Sequence, residues 1–388
     1  MSAADDQPVT PPGPVRRPRA RARDLAIIAT FMAMLSVPGV AMMAGVRPPL
    51  IENRTAATLP PVSIRAVADP GFYLAVDQAL DDAFPLRAAA VASRALIDYG
   101  ALGGSTNPEV VVGRDGWLYL AGEVFPRCLW DADEVLETWD GIAASFVEQG
   151  IDVRFVTAPD KRTAYPQFLP PVMDGRPTCT DAERPSMRDG LGERPAWTVD
   201  LWGPVLDAIP PGDLDNYYRF DSHWTPEGAT PAIRALVESI EPGLWDAQPP
   251  VQVGEADHVG DLSALLGLPQ RERVPVYERP GMTVESEEIP VTVKSGGTRP
   301  VMRYRATGPG GVVPGTTLFV YDSFLRIAND DVTPWFEDSV WLHVDDLSRH
   351  GELGAQMPAF DRVIIARGER LAYLTDYEAM LRPLLERP

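Results

Sequence analysis

Histidine and cysteine are both scarce here: His223, His258, His343 and His350, with Cys128 and Cys179, are all that 388 residues contain. Neither cysteine stands at a metal-ligand spacing from another ligand, which excludes a zinc-finger or zinc-ribbon centre. Clustered lysine and arginine are missing beyond residue 23, and the formal net charge is −20. That excludes nucleic acid as a partner, because neutralising a phosphate backbone needs a basic surface. No internal repeat is present, so a solenoid is excluded too. Proline is abundant instead, at 40 residues, which implies many loops and few long helices. Hydrophobic content of 45% and charged content of 23% are ordinary for a chain with a buried core.

The first 46 residues differ from the rest. Residues 1–24 form a polar, Pro-rich and basic tail, expected to be disordered and cytoplasmic, with five arginines in "RRPRARARD" (16–24). The uncharged run "LAIIATFMAMLSVPGVAMMAGV" (25–46) follows. It is long enough to span a bilayer at about 1.5 Å per residue. The rivals are a cleaved signal peptide, whose apolar region is normally about 7–15 residues, and a buried core helix. Length favours the anchor, and the arginine bias places residues 47–388 outside the cytoplasm. An oxidising compartment would let Cys128 and Cys179 pair, closing a loop worth ~3–4 kcal/mol. The alternative is two unpaired core thiols.

Residues 47–105 read as a juxtamembrane helical region, and 106–388 as the main domain. "VVVGRDGWLYLAG" (110–122) predicts a hairpin and "DEVLETWDGIAASFVEQ" (133–149) an amphipathic helix. Four short apolar strands follow, at 151–159, 316–323, 338–346 and 361–369, separated by helices or long connections. That rhythm predicts an α/β fold: a doubly wound, mostly parallel sheet with helices on both faces. The Pro- and Gly-rich run 240–315 reads as an insertion or a sheet edge.

In such sheets sites form at the carboxyl ends of the strands. "TLFVY" ends directly in Asp322-Ser323-Phe324. A serine hydroxyl becomes a useful nucleophile only when a base takes its proton and a carboxylate orients that base. "FDSHWTPEG" (220–228) offers Asp221 and His223 two residues apart, followed by Thr225 and Pro226 as a helix start. Taken singly, each motif fits an ordinary turn or cap. Together they make a Ser-His-Asp arrangement, with a two-ligand metal site as a weaker option. His258 is the substitute base; His343 reads as a strand residue and His350 as a loop residue.

At this point the residues resemble a known family. "DSHWTPEGA" is similar to the "DTHW" segment of the alginate O-acetyltransferase family, the AlgJ- and AlgX-like proteins with an SGNH-hydrolase-like domain. "IENRTAATLP" (51–60), "DDAFPLR" (81–87), "VVVGRDGWLYL" (110–120), "APDKRTAYPQFLP" (158–170), "GDLSALLGLP" (260–269), "VYDSFL" (320–325) and "RVIIARGERLAYL" (362–374) resemble its blocks in the same order. The resemblance implies an SGNH-hydrolase-like fold in which Asp221 orients, His223 is general base and acid, and Ser323 is the nucleophile. It implies an acetyl-serine intermediate and transfer to hydroxyls of an exported polysaccharide at a bacterial cell membrane. The acetyl supplier would be a multispanning membrane-bound O-acyltransferase, and no cofactor or metal is called for. One departure is Tyr321, where the family has glycine in "GDSF"; its bulk would narrow the pocket. Lys161, Arg162 and Tyr165 lie in a matched loop and are substrate-contact candidates, although packing explains them as well. Two other readings stay open: an acetyl-esterase with the same triad, and a non-catalytic polysaccharide-binding component using Trp117, Trp130, Trp202 or Trp224.

Overall fold

A computed structural model describes residues 22–46, 57–84, 87–105, 107–210, 212–291, 298–349 and 357–385. Residues 1–21 of the basic tail, most of the block at 51–60 and His350 lie outside them, while residues 22–24, read as part of that tail, are helical. The chain divides into two compact units, residues 1–90 and 91–388.

In the first unit the apolar run is helical, α1 (Ala22–Met43). Within it Arg23–Ala41, with a mean hydropathy of 1.8, is long and apolar enough to cross a membrane, alone among the described residues. A short helix at Ile64–Val67 and α2 (Pro70–Ala83) follow. Asp69 caps α2 by accepting from the Gly71 N–H, and Pro70 occupies the position where a missing N–H costs nothing. A further helix, α3 (Arg87–Gly100), follows.

The second unit opens with the expected hairpin, β1 (Val110–Val112) and β2 (Leu118–Leu120). Its turn needs left-handed backbone at Asp115 (φ 54°) and Gly116 (φ 72°), which aspartate tolerates and glycine adopts freely. Next come α4 (Ala132–Glu148), started by an Asp131/Glu134 capping box, and β3 (Asp152–Ala158). Then follow α5 (Cys179–Glu193), β4 (Thr198–Asp200) and α6 (Pro226–Ile240). Cys128 and Cys179 form a disulfide, with their Cα atoms 6.1 Å apart and a sequence separation of 51. Replacing both with serine is expected to lower stability by about 4 kcal/mol, the loop-entropy value for that length. The shift in urea midpoint checks it, and an unchanged midpoint would mean that the unfolded chain gains no freedom from the cut.

The run after 240 carries β5 (Val251–Val259) and β6 (Arg271–Glu278), an antiparallel ribbon separate from the main sheet. The remaining strands are β7 (Thr283–Ile289), β8 (Val301–Thr307), β9 (Val313–Tyr321), β10 (Phe336–His343) and β11 (Arg362–Gly368). The main sheet has seven strands in the order β4-β3-β11-β9-β10-β8-β7. The first five are parallel, and β8 and β7 extend one edge antiparallel. Residues 240–315 therefore supply both a ribbon and a sheet edge.

Side chains alternate cleanly between the two faces. Phe319, Trp341, Ile364 and Val156 pack in a cluster with Ala232, Ile233 and Leu236 of α6. Leu318, Val340, Val363 and Phe155 pack in another with Leu136, Trp139 and Phe146 of α4 and Leu381 of the C-terminal helix. Helices thus cover both faces, which is why the parallel strands read as continuous apolar runs. Because β11 lies between β3 and β9 while the chain leaves β9 towards β10, the strand order reverses there. A crevice opens at the carboxyl ends of β11 and β9.

Candidate active site

Asp322 and Ser323 occupy that crevice. β9 ends at Tyr321, and Asp322 caps the short helix α7 (Ser323–Ile327), accepting from the Phe324 N–H at 3.0 Å. Its other oxygen accepts from the Gly368 N–H at the end of β11, at 2.6 Å. One carboxylate thereby ties two strand ends together and holds the serine turn. Ser323 is half-buried.

The second component is a tight hairpin over 216–225. Tyr217 and Trp224 form an antiparallel bridge, the Tyr218 N–H donates to the His223 carbonyl and the Thr225 N–H to the Asn216 carbonyl. Thr225 then caps α6 through the Gly228 N–H. Gly228 is required there, since a Cβ would lie 1.9 Å from the Asn216 carbonyl oxygen. The Trp224 indole N–H donates to the Phe324 carbonyl at 3.1 Å, and the His223 ring meets the Phe324 ring edge-on at 5.1 Å. The Asp-His segment and the serine turn, about a hundred residues apart in sequence, are therefore fastened side by side.

Asp221 is buried and accepts four hydrogen bonds. Oδ1 receives the His223 Nδ1–H at 2.7 Å and the His223 backbone N–H at 3.0 Å; Oδ2 receives the His258 Nε2–H at 2.8 Å and the Asp261 backbone N–H at 2.9 Å. Burial opposes its ionisation, but the hydrogen bonds from His223 and His258 outweigh it and hold the carboxyl well below the usual range. An ionised carboxylate only accepts, so the His223 proton sits on Nδ1 and the lone pair of the neutral ring on Nε2. Nε2 is buried and has no hydrogen-bond partner. The hydrogen bond from Ser323 is thus unformed, as is common before substrate tightens a site.

His258, the expected substitute base, instead grips the far oxygen of Asp221 while its ring stacks on Tyr218 at 4.1 Å. Asp261 accepts from the Ser222 hydroxyl at 2.7 Å and the Ser222 N–H at 2.8 Å, bracing the residue between Asp221 and His223. Burial and the neighbouring Asp221 charge push the Asp261 carboxyl up. Asp221, His223 and Asp261 place ligand-type atoms within 4.8 Å of one another. A cation there would have to break the Asp221–His223 bond, so the donor set suits proton transfer better than coordination.

The substrate-contact candidates lie inside the protein. Lys161, one of two lysines in the chain, is fully buried, and its ammonium donates to the carbonyls of Leu118 (2.5 Å), Arg219 (3.0 Å) and Asp221 (3.0 Å). It spends all three donors positioning the hairpin, which leaves none for an acceptor; burial pushes it down to about 8. Arg162 is buried against Asp181 (2.7 Å), and the Tyr165 hydroxyl accepts from the Asn216 N–H (3.3 Å). Tyr321 is buried, its ring against Trp341 and His343 at 5.2 Å each, so its bulk fills the α6-side core below the serine turn. Of the tryptophans considered for sugar binding, Trp117, Trp202 and Trp224 are buried and only Trp130 is exposed. Long polar side chains in a motif loop turned inward because the crevice floor has many backbone carbonyls to satisfy.

Residues 110–296 match the family model described as the SGNH hydrolase-like domain of the acetyltransferase AlgX. That segment holds Asp221, His223 and His258 and ends before Ser323. The probable alginate O-acetylase AlgJ of Pseudomonas fluorescens is 30% identical over 204 residues, covering 50% of each chain. The Pseudomonas aeruginosa protein of the same name is 29% identical over 225 residues, covering 51% of this chain and 54% of its own. The chain thus spans about half the length of the curated relatives it matches. Among solved structures it is similar to the O-acetyltransferase domain of Pseudomonas putida AlgJ, at 16% identity and TM-score 0.45, over 71% of this chain and 99% of that one. The matched half of the chain is thus similar to the SGNH hydrolase-like domain of AlgX and to the AlgJ proteins.

Proposed function

We propose that this protein is a membrane-anchored O-acetyltransferase that acetylates hydroxyls of an exported polysaccharide outside the cytoplasm. The observation that carries the reading is the buried Asp221–His223 pair, with Nε2 unpartnered beside the Ser323 turn. The naming of its relatives as alginate O-acetylases supports the acyl group and the class of acceptor.

In the first half-reaction Ser323 Oγ attacks the carbonyl carbon of an acetyl donor while His223 Nε2 takes the hydroxyl proton. Asp221 stabilises the imidazolium, and the Ser323 N–H donates to the oxyanion. The bond from the acetyl carbon to the donor's leaving group breaks, and the proton passes to that group. In the second half, a sugar hydroxyl gives its proton to Nε2 and attacks acetyl-serine; Ser323 Oγ leaves and regains the proton. The five arginines before the apolar helix favour a cytoplasmic N-terminus. With the domain outside, the acetyl group must cross the membrane, the task of a multispanning membrane-bound O-acyltransferase partner.

The test gives the full chain, in detergent, an activated acetyl ester with and without oligosaccharide. The expected products are an acetylated sugar and, when acceptor is withheld, acetyl on the peptide containing Ser323, both read by mass spectrometry. Acetyl-sugar formed while that peptide stays unlabelled would sink the covalent mechanism. Acetate release with no acetyl-sugar would leave an esterase with water as acceptor.

A further inference from the structure

Lys161 is wholly enclosed, yet no carboxylate forms an ion pair with it among the described residues. Its ammonium stands where three segments meet: the β1–β2 hairpin, the turn after β3 that carries Lys161, and the segment 219–221 that carries Asp221. The Leu118 N–H already donates to the Arg219 carbonyl at 3.0 Å. Nζ then donates to that same carbonyl, to Leu118 and to the backbone of Asp221. The Trp117 and Tyr119 rings close the remaining side, 4.9 and 5.1 Å from Nζ.

This geometry needs the full ammonium. Three carbonyl oxygens converge on one nitrogen, and NH3⁺ has a proton for each. A neutral amine has two N–H donors and a lone pair, so one buried carbonyl would face that lone pair with no donor and no water. Asp221 is the residue exposed to the consequence. Its backbone is held by Lys161, while its carboxylate holds the His223 Nδ1 proton at 2.7 Å. We propose that the Lys161 ammonium is a positioning group for the Asp221–His223 pair, and that loss of one of its protons releases the 219–221 segment and switches acetyl transfer off. This rests on the transferase reading above.

The charges around Lys161 set the direction of the switch. Burial pushes it down to about 8, against the pull of Glu123 after β2, Glu272 of β6, Asp221 and Asp261. The Tyr119 phenol beside it is pushed up by burial and keeps its proton throughout this range. Asp221 stays ionised far below it, and a neutral imidazole base gives a rate that levels off above neutral pH. An alkaline fall in rate therefore belongs to Lys161 and not to the triad.

The experiment follows Ser323-dependent turnover of an activated acetyl ester by the full chain in detergent, from about pH 6.5 to about pH 9.5, with spontaneous hydrolysis subtracted. Wild-type kcat is expected to fall above about pH 8, with the circular dichroism spectrum unchanged. Lys161→Met fills the same space without donors; it should lower kcat at pH 7 about a hundredfold, the scale of a small misplacement of a catalytic group, and lack the alkaline fall. Glu272→Gln keeps Lys161 but removes a neighbouring negative charge, so it should move the fall to lower pH, a test that holds even where Lys161→Met does not fold. A wild-type plateau to pH 9.5, a fall that Glu272→Gln leaves in place, or a fall that tracks loss of the spectrum overturns the positioning proposal and leaves the triad standing. Undiminished kcat in Lys161→Met does the same. Absence of Ser323-dependent turnover at every pH removes the transferase reading and this proposal with it.

Discussion

Ser323→Ala is expected to lower kcat for acetyl-ester turnover by on the order of 10⁴–10⁶, His223→Ala by a similar amount, and the double variant no further. The non-additivity is the informative part. A hydroxyl without its base and a base without its hydroxyl are equally unable to form acetyl-serine, so the second substitution removes nothing that remains. Asp221→Asn should cost about 10⁴, because an amide offers an N–H where the Nδ1 proton must be held and so favours the wrong tautomer. His258→Ala removes one charge-assisted hydrogen bond from Asp221 and should cost about ten- to a hundredfold. His258→Gln keeps a donor and should recover much of that loss, which separates the hydrogen bond from the ring's stacking on Tyr218. Since its hydrogen bonds hold Asp221 far below the usual carboxylate range, the acid limb of the pH–rate profile does not come from Asp221. Multiplying, independent losses for Ser323→Ala and His223→Ala would contradict a shared mechanism.

The second large effect is on stability. Arg370 follows β11, and its half-buried guanidinium donates to Asp160 Oδ1 at 2.8 Å and approaches Glu123 at 3.5 Å, both carboxyls being buried. Its backbone N–H donates to the other oxygen of Asp160 at 2.8 Å. Arg370→Met would leave buried Asp160 without its cation, beside Glu123, whose carboxyl is already pushed well up by burial and by Asp160, at a cost of about 3–5 kcal/mol. The pH dependence follows from burial, which pushes Asp160 up to about 6 against the opposing pull of Arg370. A carboxyl whose folded pKa lies above its unfolded value binds protons more readily when folded, so its contribution to stability rises as pH falls from about 6 to about 4. Without Arg370 that pKa moves higher still. The deficit of Arg370→Met should therefore be largest near pH 8 and shrink near pH 5, read from urea midpoints at both values. Equal deficits at the two would mean that lost packing, and not unpaired charge, is responsible.

Much of the architecture was legible without coordinates. The four apolar runs at 151–159, 316–323, 338–346 and 361–369 each became a parallel strand, because a strand buried on both faces must be apolar throughout. The carboxyl end of one run pointed to Ser323, and the two-residue spacing pointed to Asp221 and His223. What spacing could not show was which polar groups face inward. Lys161, Arg162 and Tyr165 read as contacts for a hydroxyl-rich substrate; Lys161 and Tyr165 bond buried neighbours, and Arg162 pairs with half-buried Asp181. His258 looked like a spare base and proved to be a second donor to Asp221, across 37 residues of chain.

Four of the five parallel strands, the apolar N-terminal segment and the chemical types gathered at the crevice could be read from the sequence, since periodicity, charge and residue chemistry are local properties; β4 and the edge strands β7 and β8 could not. Tertiary structure decided the rest. It decided that Asp322 bridges two strand ends, that Trp224 fastens the histidine hairpin to the serine turn, and that Asp221 is shared between two imidazoles. Those are contacts between segments far apart in the chain, and they follow from strand order and packing, which a linear pattern of residues does not encode.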